Sequence, residues 1–258
     1  MSIVLNENKW AEQAINDGRF LEAPVETLNR IAKYYYSQSM TKKQVKQQLS
    51  EYVYSCDPSA PSTLWEPVIE RAVKYAQKSP SISIKEIVIT DKEFNTIHSL
   101  TGKQEQRLAF TLLCIAKFNN MVNSQNNYWV STPDKEIMKM ANINTSIKRQ
   151  SKMFHDLREL GLLKFSKRVD SLSVQVLYAD DSGSPQMSIT DYRNLGFQYM
   201  SQSNNGFFIC EKCGVVEKNK RTDTGRPRKY CADCAKKVKH EQNVRALHRY
   251  RESLYITQ

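Results

Sequence analysis

Four cysteines carry the most specific chemical signal in the chain. Cys210 and Cys213 form one CxxC pair, Cys231 and Cys234 form a second, and 17 residues separate the two pairs. Two residues between sulfurs let each pair grip one side of a tetrahedral ion, and the interval suits a four-cysteine zinc site. Gly214, directly after the first pair, supplies the backbone freedom that a knuckle turn needs. Redox chemistry would call for a single CxxC in a βαβ setting, and two disulfides for an exported chain. Neither context is present. The expectation is therefore one structural Zn2+ bound by Cys210, Cys213, Cys231 and Cys234, with no open coordination position for catalysis. His240 and His248 lie nearby in sequence, but four thiolates already fill the shell. The remaining cysteines read differently: Cys56 as a solvent-facing residue with no metal partner, Cys114 as a core residue inside an apolar helical run.

Cations form the second constellation, and their placement says more than their number. The formal charge of +11 comes from 38 Lys and Arg against 27 Asp and Glu. Residues 1–100 are balanced at 12 against 12, whereas residues 101–178 hold 12 basic against 6 acidic side chains and residues 207–258 hold 13 against 6. Residues 179–206 are slightly acidic, at 1 against 3. Two separate basic segments beside a neutral one point to two polyanion-facing modules and a neutral partner domain. The plainer alternative for either is a solvated basic surface.

In the first basic segment, Thr145, Lys148, Lys152 and His155 fall at i, i+3, i+7 and i+10, so a helix would place them on one face with Arg149 beside them. Cations without acids on such a face suit phosphate contacts and guanine reading. Lys167 and Arg168 sit at the polar tip Lys167–Ser171 of a candidate hairpin. In the second, Lys218, Lys220, Arg221, Arg226, Arg228 and Lys229 crowd the loop between the cysteine pairs. A helix over about 235–254 adds Lys236, Lys237, Lys239, Arg245, Arg249 and Arg251. Its thin apolar stripe of Val244, Leu247 and Leu254 would dock on the body or on a second copy in a homodimer, leaving the cations for phosphates.

The elements that must position these residues read as mainly helical, an α+β class. Residues 1–100 form a neutral helical domain for partner binding or self-association. Leu28, Ile31, Ala32 and Tyr35 recur at helical spacing, as do Val45, Leu49, Tyr52 and Val53. Trp65, Val68, Ile69, Ala72, Val73 and Ala76 make a third stripe. Capping-box patterns appear at Thr41 with Gln44, Thr63 with Glu66, and Thr90 with Glu93. Ile82, Ile84, Ile87 and Ile89 predict a short strand.

Residues 101–178 predict a helix from about Gln104 to Val122 with Leu108, Leu112, Ile115 and Ala116 on one face. A strand follows at Tyr128–Val130, then a helix opened by Ser131 or Thr132 and Pro133. A third helix, capped by Thr145, runs to Leu160 and stops at Gly161, with Ile147, Phe154 and Leu157 inward and Met153 and Leu160 beside them. Leu162–Phe165 and Leu172–Tyr178 form a strand pair. Residues 179–206 read as a short helix and linker, and 207–258 as the cysteine module with its basic helix.

Helix, strand, helix, short turn, helix and hairpin is an order that resembles the winged helix-turn-helix family. The residues that carry it are Met140–Ile147 and Leu157–Leu163, and it covers about residues 101–178. The resemblance implies a third helix in the major groove and a wing on the backbone or minor groove. The tail, through Arg228–Lys237, Val244–Arg245 and Tyr250–Glu252, is similar to zinc-ribbon ends of bacteriophage and mobile-element proteins, which implies binding to nucleic acid or a partner.

No run approaches 18 apolar residues, and the apolar start ends at Asn6, so neither a membrane span nor a secretory signal is expected, and the chain reads as cytoplasmic. Phosphate-loop, dinucleotide, zinc-protease and serine-elbow motifs are missing, so the expectation is not an enzyme, although scattered acids could assemble a metal nuclease. The favoured reading is a phage-like regulator of transcription that binds double-stranded DNA. The alternatives are a replication or recombination initiator that recruits helicase or primase, and an adaptor that binds RNA polymerase through the ribbon.

Overall fold

The computed structural model describes residues 3–59, 61–167, 173–219 and 228–256. Arg168 and Arg226, like Lys220 and Arg221, lie outside the described residues, as does most of the tip Lys167–Ser171. The expected class holds: the described residues are mainly helical, with a few small sheets.

The chain divides into two units, residues 1–88 with 187–192, and residues 89–186 with 193–258. The break after Val88, rather than after residue 100, has a physical reason. The helix that follows belongs with the second unit because its Glu93 is buried in an ion pair with Lys117 there.

The first unit contains α1 (Glu7–Asp17), α2 (Pro24–Ser37), α3 (Lys42–Cys56) and α4 (Ser62–Lys78). The stripes foreseen on α2, α3 and α4 form its core with Ala11 and Ala14 of α1, while Trp65 and Val68 are half-buried. The Thr41–Gln44 capping box is present. Thr63 does not cap, because α4 begins at Ser62 with Pro61 as its N-cap and Thr63 is already inside the first turn. Cys56 is half-buried against the core rather than solvent-facing. A charged network lies inside this unit: the Glu7 carboxylate takes Lys33 Nζ at 3.1 and 3.2 Å and the Ile82 N–H at 2.8 Å, and Arg30 reaches Glu22 at 2.5 Å.

Strand β1 (Ile87–Thr90) leads into α5 (Asp91–His98), whose start carries the expected Thr90–Glu93 capping box. Next come α6 (Lys103–Val122), β2 (Trp129–Val130), α7 (Asp134–Met140), α8 (Ile147–Glu159), β3 (Leu163–Phe165) and β4 (Val174–Val176). Every residue of α6 from Leu108 to Phe118, Cys114 included, is buried, so the helix is enclosed all round rather than on a single face. Strands β2, β4 and β3 form an antiparallel sheet in that order. Its inner side buries Val130, Val174, Val176 and Leu163.

Pro133 is the N-cap of α7, and Gly161 adopts the left-handed stop after α8 at φ 72°. Ser146, not Thr145, caps α8 by accepting the Arg149 N–H. Met153, Phe154 and Leu157 face inward as expected, but Ile147 is 81% and Leu160 62% exposed. These two lie at the ends of α8, where the helix projects past what it packs on.

The linker holds a strand that periodicity did not reveal, β5 (Pro185–Ile189), which pairs with β1, and then the short α9 (Leu195–Ser201). The chain ends in a hairpin of β6 (Phe207–Ile209) and β7 (Val216–Lys218) and the long α10 (Ala232–Ile256).

Candidate metal centre and basic surfaces

Backbone bonds build the cysteine site in two halves. After β6, Gly214 takes φ 73°, which lets its N–H bond the Cys210 carbonyl at 2.8 Å while Cys210 N–H bonds Val215 at 2.9 Å. The turn closes Cys210 and Cys213 onto one side. On the other, the Ala235 N–H bonds the Cys231 carbonyl at 2.9 Å as α10 begins, which brings Cys231 and Cys234 together. The Glu211 N–H to Lys229 carbonyl bond, at 3.0 Å, ties the halves.

All four sulfurs lie within 4.8 Å of one another, so Cys210, Cys213, Cys231 and Cys234 are placed to hold a metal ion. A tetrahedral ion with metal–sulfur bonds of about 2.3 Å needs sulfurs about 3.8 Å apart. Cys213 and Cys231 stand at 3.7 Å. Burial raises the Cys210 thiol, but the backbone N–H groups of Cys231, Cys213 and Lys212 outweigh it and bring the thiol down to about 6. Burial and then the neighbouring sulfurs push Cys234 up. Four thiolates this close repel one another unless a cation sits among them.

The site is anchored to the rest of its unit through α9. Arg193 donates to the Cys213 carbonyl at 2.9 Å and Asn194 Nδ2 to the Val216 carbonyl at 3.0 Å. Asn194 also accepts from Asn142 Nδ2 at 2.9 Å, and Asn142 Oδ1 accepts the Phe197 N–H at 3.1 Å. Both asparagines are left-handed, at φ 55°. Gly196 lies so close to α7 that a Cβ would fall 2.0 Å from the Ala141 carbonyl oxygen. The turn before α8 and the cysteine hairpin are thus joined by one amide bridge. Composition carries no signal for it, because its partners are 52 residues apart.

The cations fall into two groups. Lys148, Lys152 and His155 are exposed together along α8, with Ile147 and Ser151 on the flank of that face. Thr145 is half-buried, its carbonyl accepting from Gln150. Arg149 does not stand with the lysines: it is paired with Glu105 of α6. Lys167 is exposed beside the small sheet. Around the cysteines, Arg228 is half-buried and Lys229 pairs with Glu211 at 3.6 Å. On α10, Lys236 and Arg245 are exposed and Lys237 is half-buried. Val244 and Leu247 are each 52% exposed, so the expected stripe does not dock on the body, and nothing is described of the Leu254 side chain.

No helix among the described residues is long and apolar enough to cross a membrane. Comparison with protein-family models, curated proteins and solved structures finds no match to this chain.

Proposed function

We propose that this chain is a sequence-specific DNA-binding protein that regulates transcription by occupying duplex DNA. Its α6-to-β4 segment works as a winged helix-turn-helix, with α8 in the major groove and the β3–β4 connection against the backbone. The outer face of α8 carries this reading. It exposes Lys148, Lys152 and His155 together, leaves Ile147 81% exposed at its first residue, and holds no Asp or Glu between 147 and 155. Lysines reach phosphates and guanine edges, and an isoleucine kept out of the core offers an apolar contact to a thymine methyl. Arg149, held by Glu105, braces α8 against α6 rather than reading a base.

The four-cysteine site takes one structural Zn2+, whose bond lengths match the sulfur spacing and whose tetrahedral shell four thiolates fill. Arg228, Lys229, Lys236, Lys237 and Arg245 then supply phosphate contacts, which add affinity with little sequence information.

Selection from a random duplex pool, followed by titration of the full chain at three salt concentrations, tests the reading. A Lys148→Ala/Lys152→Ala variant should lose preference for the selected site and reduce the log–log salt slope by about 0.9 for each phosphate contact removed. A pool that yields no preferred sequence, or a variant that binds it unchanged, overturns the assignment to α8.

A further inference from the structure

The small sheet has an outer side whose middle row the duplex reading leaves unused. Its register sets Trp129 opposite Gln175 and Gln175 opposite Lys164, one row across three strands. Two residues along each strand stand Ser131, Ser173 and Ser166, which pleating puts on the same side. The Ser131 and Ser173 hydroxyls are 3.1 Å apart and hydrogen-bonded, and Gln175 Nε2 is tied to the Asn127 carbonyl at 3.0 Å. Trp129, Ser131, Ser173, Lys164, Ser166 and Lys167, with Phe165, line an open trough of about 510 Å³, and no acidic side chain lines it among the described residues.

The Trp129 indole is half-buried in this trough, beside serine hydroxyls and two lysines. The part of the ring left to solvent offers an apolar surface, the lysines offer positive charge, and the serines offer donors and acceptors. One ligand chemistry uses all three: a base to stack, a phosphate to neutralise and a base edge to bond. A trough of this size lies within the range of ligand clefts, about 300–1,000 Å³. Base pairs inside a duplex have both faces covered by their neighbours, so along a strand it is unpaired nucleotides that can present a ring to Trp129.

We infer that the outer face of β2, β4 and β3 binds unpaired nucleotides of a single strand, with Trp129 as the stacking platform and Lys164 and Lys167 as its phosphate contacts. The inference deepens the DNA-binding reading and rests on it, adding a strand-separated substrate to the duplex one. Duplex reading and unpaired-strand capture on one unit are the pair of abilities that initiating replication or recombination requires.

The test is fluorescence anisotropy of the full chain with three labelled probes: a blunt duplex carrying the selected site, the same duplex with a single-stranded DNA tail, and the same with an RNA tail. The tailed probes should bind about 5- to 150-fold tighter than the blunt one, the range expected for one stacked base. Trp129→Ala should abolish that gain and leave blunt binding unchanged, Trp129→Phe should keep most of it, and Lys164→Gln should reduce it. A gain with both tails assigns the face to unpaired nucleotides of either sugar, and a gain with one tail alone assigns it to that sugar. Equal binding of blunt and tailed probes, or a gain that survives Trp129→Ala, overturns the inference while the duplex reading stands. Tight binding of tails alone, with none to the blunt probe, overturns the duplex reading instead. Absence of binding to every probe overturns both.

Discussion

Two parts of the second unit are held together by different means. From α5 to β4, with α9 packed on it, the chain buries α6 from Leu108 to Phe118 and pairs its buried lysine: Lys117 meets both Glu93 oxygens at 2.9 Å and Asp181 at 2.7 Å. Glu93 in turn takes the Thr90 and Asp180 N–H groups. From β6 onward the core shrinks to Cys210, Val215, Cys231 and Cys234, with Cys213 and Tyr230 against it. The first part draws on apolar burial and a satisfied ion pair, the second on whatever binds its sulfurs. A chain can therefore lose the second without losing the first, provided that the metal, and not the α9 anchor, sustains the hairpin.

The largest effect that tests this contrast is removal of the metal. Structural zinc contributes about 10–16 kcal/mol of apparent binding energy at neutral pH, far more than so small a core supplies. Cys213→Ser or a strong chelator should release one zinc per chain and abolish amide-exchange protection over β6, β7 and the first turn of α10. Protection across α6 and α8 should remain, as read by hydrogen-exchange mass spectrometry. Loss of protection in both parts at once would show that the two fold as one.

A smaller effect should appear on the other side. Glu93→Gln removes one of the two carboxylates that meet the buried Lys117 ammonium and leaves Asp181, so the loss should stay below the ~3–5 kcal/mol that a wholly unpaired buried charge costs. The denaturant midpoint of the unit should fall accordingly, with metal content unchanged at one zinc per chain. Metal loss in this variant would place the hairpin's stability in the α6 core after all.

Smallest is the pH dependence of Asp181. A hydrogen bond from Lys117 holds its carboxyl below the usual carboxylate range. A lowered folded-state value means that the pairing stabilises fully above the unfolded value of about 4 and fades as pH falls through the folded one. The carboxylate is 64% exposed, so solvent screening limits the effect to about 1 kcal/mol or less. The melting temperatures of the parent and Asp181→Asn should differ most near pH 7 and draw together as pH falls below about 4. A gap that persists in acid would mean that the substitution acts through something other than the charge.

Local signals were legible in the sequence, and distant ones were not. Both knuckles, the capping boxes at Thr41 and Thr90 and the Gly161 stop each depend on residues within a few positions of one another. Thr145 and Ser146 were adjacent hydroxyls, and only the turn geometry decided between them. The helical period placed Ile147 with Phe154 because it assumes a core as long as the helix, and here the core ends first. Strand β5, the Glu93–Lys117 pair and the Asn142–Asn194 bridge join residues too far apart for any window to link. Trp129 was readable as a strand residue, but its side of the sheet follows from register, which the sequence does not state.

The last helix has a thermodynamic consequence of its own. From Lys239 to Arg249 each residue of α10 is exposed, so its order there rests on backbone bonds and on pairs such as Lys212 with Glu241 at 2.5 Å. Helices of about 12–15 residues without packing are marginal in water, and their content falls as temperature rises. A partner that takes α10 as a helix must then supply part of the ordering entropy on contact. Its binding enthalpy would vary with temperature through the melting of the free helix, even at an interface with little apolar surface.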